Sequence, residues 1–177
     1  HIYDFFTNIL GLRLAKLTVN QDDYETYHLY FTDEDGNAGT DMTFFDFPGI
    51  PKGTKGTNNI DRASFRVPSD DSLTYWLTRF EQAEVIHGEI KTRFGKKFVE
   101  FEDFDGQQYQ LISDETNVGV PAGQPWQLSN VPDEHAIVGL GPVFVKVANY
   151  EHMDLVLDKV LGFSKTGDEG AFHQYEL

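Results

Sequence analysis

The sequence contains no cysteine, which excludes disulfide bonds, thiolate metal sites and cysteine nucleophiles. Basic residues are scarce as well: 14 Lys and Arg stand against 29 Asp and Glu, and the formal charge is −15. A surface of this charge repels nucleic-acid phosphates and anionic membranes at long range. The carboxylates are dispersed along the chain, so they indicate a solvated surface rather than an acidic tail.

Long apolar runs are also missing. No segment approaches the roughly 18 consecutive apolar residues of a membrane span, and no glycine-rich phosphate loop is followed by Lys-Ser or Lys-Thr. We therefore expect a cytoplasmic protein that has neither nucleic acid nor a membrane as a partner. The chain is nevertheless 40% apolar and 14% aromatic, which is sufficient for a packed core.

What the sequence does contain is an internal repeat. One apolar helix pattern ends at Leu10-Gly11-Leu12, and a second ends at Leu161-Gly162-Phe163, so Leu10 and Leu161 are 151 positions apart. Glycine is typical of a helix C-terminus. The repeat predicts one helix-to-strand module that is used several times.

Hydrophobic periodicity and turn residues predict three copies of this module. The predicted elements are a helix over 1–12, strands 12–19, 27–31 and 42–47, a loop from Pro48 to Asn59, strand 63–67, a helix from about 71 to 83, strands 97–101 and 109–112, strand 143–147, helix 150–161 and strand 172–177. The first copy lacks an opening strand and the third lacks its last two strands. The pattern therefore predicts part of a longer chain.

Composition also predicts a domain division. Gly, Pro, Asn and Ser are concentrated between Thr116 and Pro132, which is typical of a linker. We predict an N-terminal domain over 1–115 with modules one and two, a linker over 116–135, and the start of a C-terminal domain over 136–177 with a truncated module three.

Candidate site residues lie on the strands of module one. His28 and Tyr30 share a face of their predicted strand because side chains alternate. The strand from Thr43 to Phe47 has aromatic residues on both faces, which indicates either a core side and an aromatic-lined cup or, more commonly, a two-sided core. His28, Tyr30 and Phe44 are our candidates for a substrate pocket; the alternative is that His28 is structural, as lone strand histidines commonly are.

Several of these residues carry a resemblance to a known family. The run from Phe5 to Leu14, with Thr26-Tyr27-His28-Leu29-Tyr30 and Thr43-Phe44-Phe45, resembles the first module of hydroquinone-type ring-cleaving dioxygenases. These belong to the vicinal oxygen chelate superfamily, with glyoxalase I and the bleomycin-resistance proteins. A looser similarity continues through Asp103-Phe104-Asp105-Gly106 and His135-Ala136-Ile137. The resemblance implies an α+β fold of repeated βαβββ modules forming half-open, cup-shaped sheets, here incomplete at both ends.

The resemblance also implies a function. It indicates a non-haem iron(II) enzyme that cleaves a small aromatic substrate with dioxygen, with two histidines and one glutamate as metal ligands. In such relatives the ligands lie in the opening strand of module one and in module four, outside residues 1–177. We therefore assign no catalytic residue and no metal ligand to this chain, and we expect these residues alone to bind no iron(II) and to be inactive.

Modules two and three offer no convincing metal ligands. At the strand positions where ligands would be required, module two has Arg62, Ser64 and Gln110, and module three has 140–143; none of these is a good ligand for a divalent cation. We predict that both modules are structural. The alternatives for the protein are a metal-free small-molecule binding or resistance protein and a glyoxalase-like isomerase. Paired modules often bury edges between subunits, so a homo-oligomer is a further open alternative.

Overall fold

A computed structural model describes residues 1–47 and 49–177, and Pro48, the first residue of the predicted loop, lies outside the described residues. Within them no helix is both long and apolar enough to cross a bilayer. The helical elements are α1 Ile2–Asp4, a π-helical turn Phe5–Ile9, α2 Asp70–Gln82, a 3-10 turn Asp133–His135, α3 Tyr150–Leu155 and a second π-helical turn Val156–Val160. The strands are β1 Arg13–Val19, β2 Tyr27–Thr32, β3 Met42–Asp46, β4 Asn59–Val67, β5 Lys91–Arg93, β6 Lys96–Glu102, β7 Gln108–Ser113, β8 Gly139–Leu140, β9 Phe144–Lys146, β10 Ser164–Glu169 and β11 Phe172–Glu176.

The strands form three open sheets. Module one contributes the antiparallel sheet β1-β2-β3, and β10 pairs with β11 in a separate hairpin. The largest sheet has the order β5-β6-β7-β4-β8, with β9 also paired to β4. The short strands β8 and β9 of module three both run antiparallel to β4 of module two. Modules two and three are therefore joined edge to edge, and the predicted α+β fold with open sheets is confirmed.

Helix α2 follows from its sequence. Ser69 precedes the helix in an extended conformation, and its side chain accepts a hydrogen bond from the Ser72 amide. Acidic residues in the first turn suit the positive end of the helix dipole. The apolar stripe of the helix is buried, with Trp76 and Phe80 fully covered. The predicted helix over 71–83 is confirmed to within one residue.

The 151-residue repeat is visible in the backbone itself. Each copy contains a π-helical turn, Phe5–Ile9 and Val156–Val160, in which the closing amide donates to the carbonyl five residues earlier, at 2.9 and 3.0 Å. Each turn is followed by a glycine with positive φ, 74° at Gly11 and 75° at Gly162. Every one of these features is displaced by 151 positions.

The strand pairing repeats as well. Each following hairpin contains one β-bulge, between Leu14 and Lys16 in β1 and between Lys165 and Gly167 in β10. A bulge is a specific local insertion rather than a generic property of strands. Its recurrence at the same offset confirms that the helix and the hairpin repeat as one unit.

The core lies between the first sheet and the sheet of module two. Phe6 is fully buried and packs on both sides. Its ring lies 4.5 Å from Phe44 and 5.1 Å from Phe31 of the first sheet, and 5.8 Å from Tyr109 and 6.2 Å from Phe65 of the second, measured between centroids. The π-helical turn over 5–9 therefore lies between the two sheets, and we call the sheet faces directed away from it the outer faces. The outer face of module two is itself largely covered, since Ser64, Phe98 and Gln110 are at most 2% exposed.

The predicted linker packs onto both modules. Val131 is 4% exposed and belongs to the core. Arg66 of β4 donates to the carbonyls of Val120 and Pro121 and forms an ion pair with Asp114 at 2.8 Å. Residues 116–135 thus lie along the surface of modules one and two. The division into domains stays a prediction.

Candidate functional site

The first sheet has one buried face and one open face. Leu29 and Phe31 of β2 are buried against the π-helical turn over 5–9. His28 and Tyr30 alternate with them and lie on the other side. We call this second side, directed away from the π-helical turn, the open face.

An aromatic patch occupies the open face. It consists of His28, Tyr30, Phe45 and Phe47. The His28 ring lies 4.0 Å from the centroids of both Tyr30 and Phe45, and Phe45 lies 5.9 Å from Phe47. Phe45 is the antiparallel register partner of His28 and is 45% exposed. The patch therefore offers flat, apolar ring surface on the outside of the sheet.

Of the two ring nitrogens of His28, only Nδ1 has a hydrogen-bond partner among the described residues. Nδ1 lies 2.8 Å from the Tyr30 hydroxyl. Nε2 is covered by neighbouring side chains and has no hydrogen-bond partner among the described residues. When the Tyr30 hydroxyl donates to Nδ1, Nε2 carries the ring proton and is a donor. A buried polar atom without a partner costs roughly 1–3 kcal/mol.

A cation lies beside the patch. Lys16 of β1 is the register partner of Tyr30, and its ammonium lies 5.4 Å from the centroid of the Tyr30 ring. Within the described part of the chain Lys16 forms no ion pair. The open face therefore combines aromatic surface, an imidazole and an ammonium group.

The three predicted pocket residues do not share a face. His28 and Tyr30 lie together in the patch. Phe44 is the register partner of Leu29 and packs against the core, while Phe45 takes the place beside His28. The expectation of a two-sided core in this strand is wrong, because Phe45 and Phe47 are 45% and 43% exposed. The pocket role of His28 and Tyr30 stays a prediction.

The outer face of module two carries a second polar group, which no pattern in the sequence predicts. We call Arg62, Arg93 and Glu100 the arginine cluster. The guanidinium groups of both arginines form ion pairs with the Glu100 carboxylate. The distance from Arg93 Nη2 to Glu100 Oε1 is 3.8 Å. Burial lowers the pKa of Arg93, although the Glu100 charge opposes that effect. The Arg93 guanidinium carbon lies 3.8 Å from the Phe172 ring centroid and 5.5 Å from that of Phe144.

These contacts cross from module two to module three. Phe172 belongs to β11 and Phe144 to β9. In addition, the Phe94 amide donates to a Glu169 carboxylate oxygen at 2.6 Å. Guanidinium groups stack well on aromatic rings. The arginine cluster thus links the two modules. Alternation along β4 and β5 could have indicated only that its arginines lie on the sheet face away from the core.

The described residues do not fit an iron(II) site. Over residues 1–47 and 49–177, no three His, Asp or Glu side chains converge on a position that could hold a metal ion. His28 is surrounded by aromatic rings instead. We therefore derive no step of a reaction from a metal held by these residues.

Comparison with known proteins gives the family relationship. No family model matches the chain. It is 41% identical over 166 residues to MhqA of Bacillus subtilis, which is named as a ring-cleaving dioxygenase; the alignment covers 94% of this chain and 52% of that protein. It is 30% identical over 177 residues to the chlorohydroquinone/hydroquinone 1,2-dioxygenase of Sphingobium indicum, and this alignment covers 97% of this chain and 53% of that protein. The chain is a homologue of ring-cleaving dioxygenases.

Solved structures agree with this relationship. A dioxygenase structure from Bacillus subtilis matches with a TM-score of 0.85 at 33% identity, over 97% of this chain and 54% of that one. A glyoxylase/bleomycin resistance protein/dioxygenase domain from Frankia matches with a TM-score of 0.52 at 15% identity, over 64% of this chain and 82% of that one. At this identity the match shows a shared fold alone. The chain has the vicinal oxygen chelate fold, and it spans about half the length of the curated relatives it matches.

Proposed function

We propose that the protein containing this chain is an iron(II)-dependent dioxygenase that cleaves the ring of a hydroquinone or catechol. The observation that carries the proposal is identity of 30 to 41% to four relatives named as ring-cleaving or hydroquinone dioxygenases, over 93 to 97% of the chain. The aromatic substrate, dioxygen and iron(II) all belong to the proposal. No described residue is assigned as an iron ligand.

We assign the aromatic patch to the substrate pocket. A dihydroxylated ring is flat and apolar with polar edges, so it suits a surface of stacked rings with a single hydrogen-bonding group. His28 supplies that group, because a ring hydroxyl bonded to Nε2 would satisfy the atom that now lacks a partner. The side chains covering Nε2 have to shift to admit the hydroxyl. Tyr30 holds the imidazole from the other side.

The activity test uses the full-length protein. It is loaded with iron(II) under anaerobic conditions, and oxygen uptake is recorded after addition of hydroquinone, methylhydroquinone or catechol. We expect uptake of one O2 for each ring opened, and no uptake after chelation. The 177-residue chain alone, treated in the same way, is expected to show no turnover.

The same samples separate the alternatives. A full-length protein that holds iron and consumes no oxygen with any of these rings would refute the dioxygenase proposal. Ring binding that persists after chelation, without oxygen uptake, would indicate a metal-free binding or resistance protein. Metal-dependent conversion of a thiol adduct without oxygen would indicate a glyoxalase-like isomerase.

A further inference from the structure

The open face carries positive charge on a strongly acidic chain. Its residues on the three strands are, from register and alternation, Arg13, Lys16, Thr18, His28, Tyr30, Thr32, Thr43 and Phe45. Two of them are cations, and within the described residues of these strands none on this face is a carboxylate. The chain as a whole has a formal charge of −15. The distribution on the open face is therefore opposite to that of the molecule.

The two cations differ in availability. Arg13 donates to the carbonyl oxygen of Glu34 and is partly buried at the end of the sheet. Lys16 is exposed and forms no ion pair within the described residues. It lies against the Tyr30 ring, whose hydroxyl contacts His28. Lys16 is thus an exposed cation beside the aromatic patch, without an ion-pair partner among the described residues.

A lysine in this position changes which rings bind well. Beside apolar rings the local dielectric constant is lower than in water, so the attraction between an ammonium and an anionic oxygen is strengthened. A neutral substituent gains nothing comparable. The ammonium therefore discriminates between ligands by charge rather than by shape.

We propose that Lys16 determines substrate specificity by favouring dihydroxylated rings that carry an anionic oxygen substituent, such as a carboxylate. This inference rests on the proposed function, since it takes the open face as the pocket of a ring-cleaving enzyme. Lys16 acts on binding of the ring. It transfers no proton in this role.

The test measures binding without turnover. Full-length protein loaded with iron(II) is titrated anaerobically with 2,5-dihydroxybenzoate, which is anionic at pH 7, and with methylhydroquinone, which is neutral. Lys16→Met is compared with Lys16→Arg, and with Lys159→Met as a control that removes an exposed charge from the second π-helical turn. Circular dichroism and urea unfolding establish that each variant is folded.

We expect Lys16→Met to weaken binding of the benzoate roughly tenfold, as for loss of one charge-assisted contact, and binding of methylhydroquinone less than twofold. Lys16→Arg should keep the preference, and Lys159→Met should leave both affinities unchanged. Equal loss for both rings, or no loss for either, would overturn the proposal. Charge-selective binding in a protein that consumes no oxygen would refute the dioxygenase activity but leave the role of Lys16 in place. If the wild-type protein binds neither ring, both the proposed function and the role of Lys16 are overturned.

Discussion

The His28 imidazole makes three contacts, two with Tyr30 and one with Phe45. Tyr30 bonds to Nδ1, and the rings of Tyr30 and Phe45 each lie 4.0 Å from the imidazole. These contacts come from two neighbouring strands, so the orientation of the imidazole depends on their register. The Tyr30 hydroxyl supplies the one hydrogen bond among these contacts.

Removing that hydroxyl tests the patch. Tyr30→Phe keeps the stacked ring but leaves Nδ1 without its partner, so the imidazole loses its fixed orientation. We expect the dissociation constant for a hydroquinone, measured anaerobically on the full-length protein, to rise about three- to tenfold, as for loss of one hydrogen bond of roughly 1 kcal/mol. Tyr27→Phe removes a hydroxyl from an exposed ring on the same strand and should leave the constant unchanged. Equal effects of the two variants on the dissociation constant would show that His28 and Tyr30 do not line the substrate pocket.

The sequence could predict only part of this site. Alternation places His28 and Tyr30 on one face of a strand, and the structure agrees. Alternation cannot decide which face of β3 is outward, because Phe44 and Phe45 are the same residue type. That choice depends on Phe6, which packs against Phe44 from the π-helical turn, a contact between segments far apart in sequence.

At the scale of elements, the two π-helical turns end at glycines with the same backbone conformation and different surroundings. A Cβ on Gly11 would overlap Ser129 Oγ and lie 2.8 Å from a Val131 methyl group, whereas no other described residue lies within 4 Å of one on Gly162. Both have φ near 75°, where a side chain costs about 1–2 kcal/mol. Only Gly11 adds steric overlap.

This pair gives a matched stability test. We expect Gly162→Ala to lower the free energy of unfolding by about 1–2 kcal/mol, and Gly11→Ala to lower it by a further 1–3 kcal/mol because the predicted linker must move. Urea denaturation of both variants measures the difference. Equal losses of unfolding free energy in the two variants would show that the linker moves away from a side chain at position 11 at no energetic cost.

Asp33 fixes the turn after β2 to the predicted linker. Its carboxylate is 2% exposed and accepts hydrogen bonds from the amides of Gly36, Asn37 and Gln124 at 2.7 to 2.9 Å. Burial alone would raise the pKa of Asp33, but the hydrogen bonds from Asn37, Gln124 and Gly36 outweigh it and hold the pKa below its ordinary value. The ionised carboxylate therefore stabilises the folded state.

The lowered pKa gives a pH dependence with a definite sign. The stabilisation is fully present above about pH 4, the ordinary pKa of aspartate, and is lost as pH falls through the lower pKa of the folded state. We expect Asp33→Asn to lower the free energy of unfolding at pH 7 by roughly 2 kcal/mol and to flatten its decline below pH 4. Asp35→Asn, an exposed change in the same turn, should do neither. Urea denaturation from pH 3 to 7 makes the comparison.

Elements with a clear pattern were predictable, and others were not. Helix α2 has an N-cap, an acidic first turn and an apolar stripe, so its limits could be predicted. β10 has the sequence Ser-Lys-Thr-Gly-Asp-Glu, which has no apolar alternation. Its strand conformation comes from pairing with β11, and β5, only three residues long, likewise depends on β6.

At the scale of the whole molecule, modules two and three are joined through strand pairing and through Arg93. The guanidinium stacks on Phe172 and pairs with Glu100. Lys91 also pairs with Glu100, at 3.4 Å, but its side chain is 56% exposed. The repeat predicted that these modules exist; it could not predict their contact, because the residues that make it differ between copies.

Arg93→Met should loosen this contact. We expect amide hydrogen exchange in β10 and β11 to become about tenfold faster. In the variant, opening of this hairpin no longer has to break the stack between the Arg93 guanidinium and the Phe172 ring. Lys91→Met removes one charge next to the same carboxylate and should change exchange less than twofold. Exchange measured by mass spectrometry on peptides covering 163–177 makes the comparison, and equal acceleration by both variants would assign the effect to charge alone.

The π-helical turn over 5–9, between the two sheets, separates the aromatic patch from the arginine cluster. Phe6 contacts rings from both sheets and is fully buried, so the two outer faces have a close-packed layer between them. Free-energy changes from substitutions on opposite faces should therefore add, as for sites without shared partners. A cavity at Phe6 would instead weaken both faces together, so this one side chain sets whether the two surfaces behave independently.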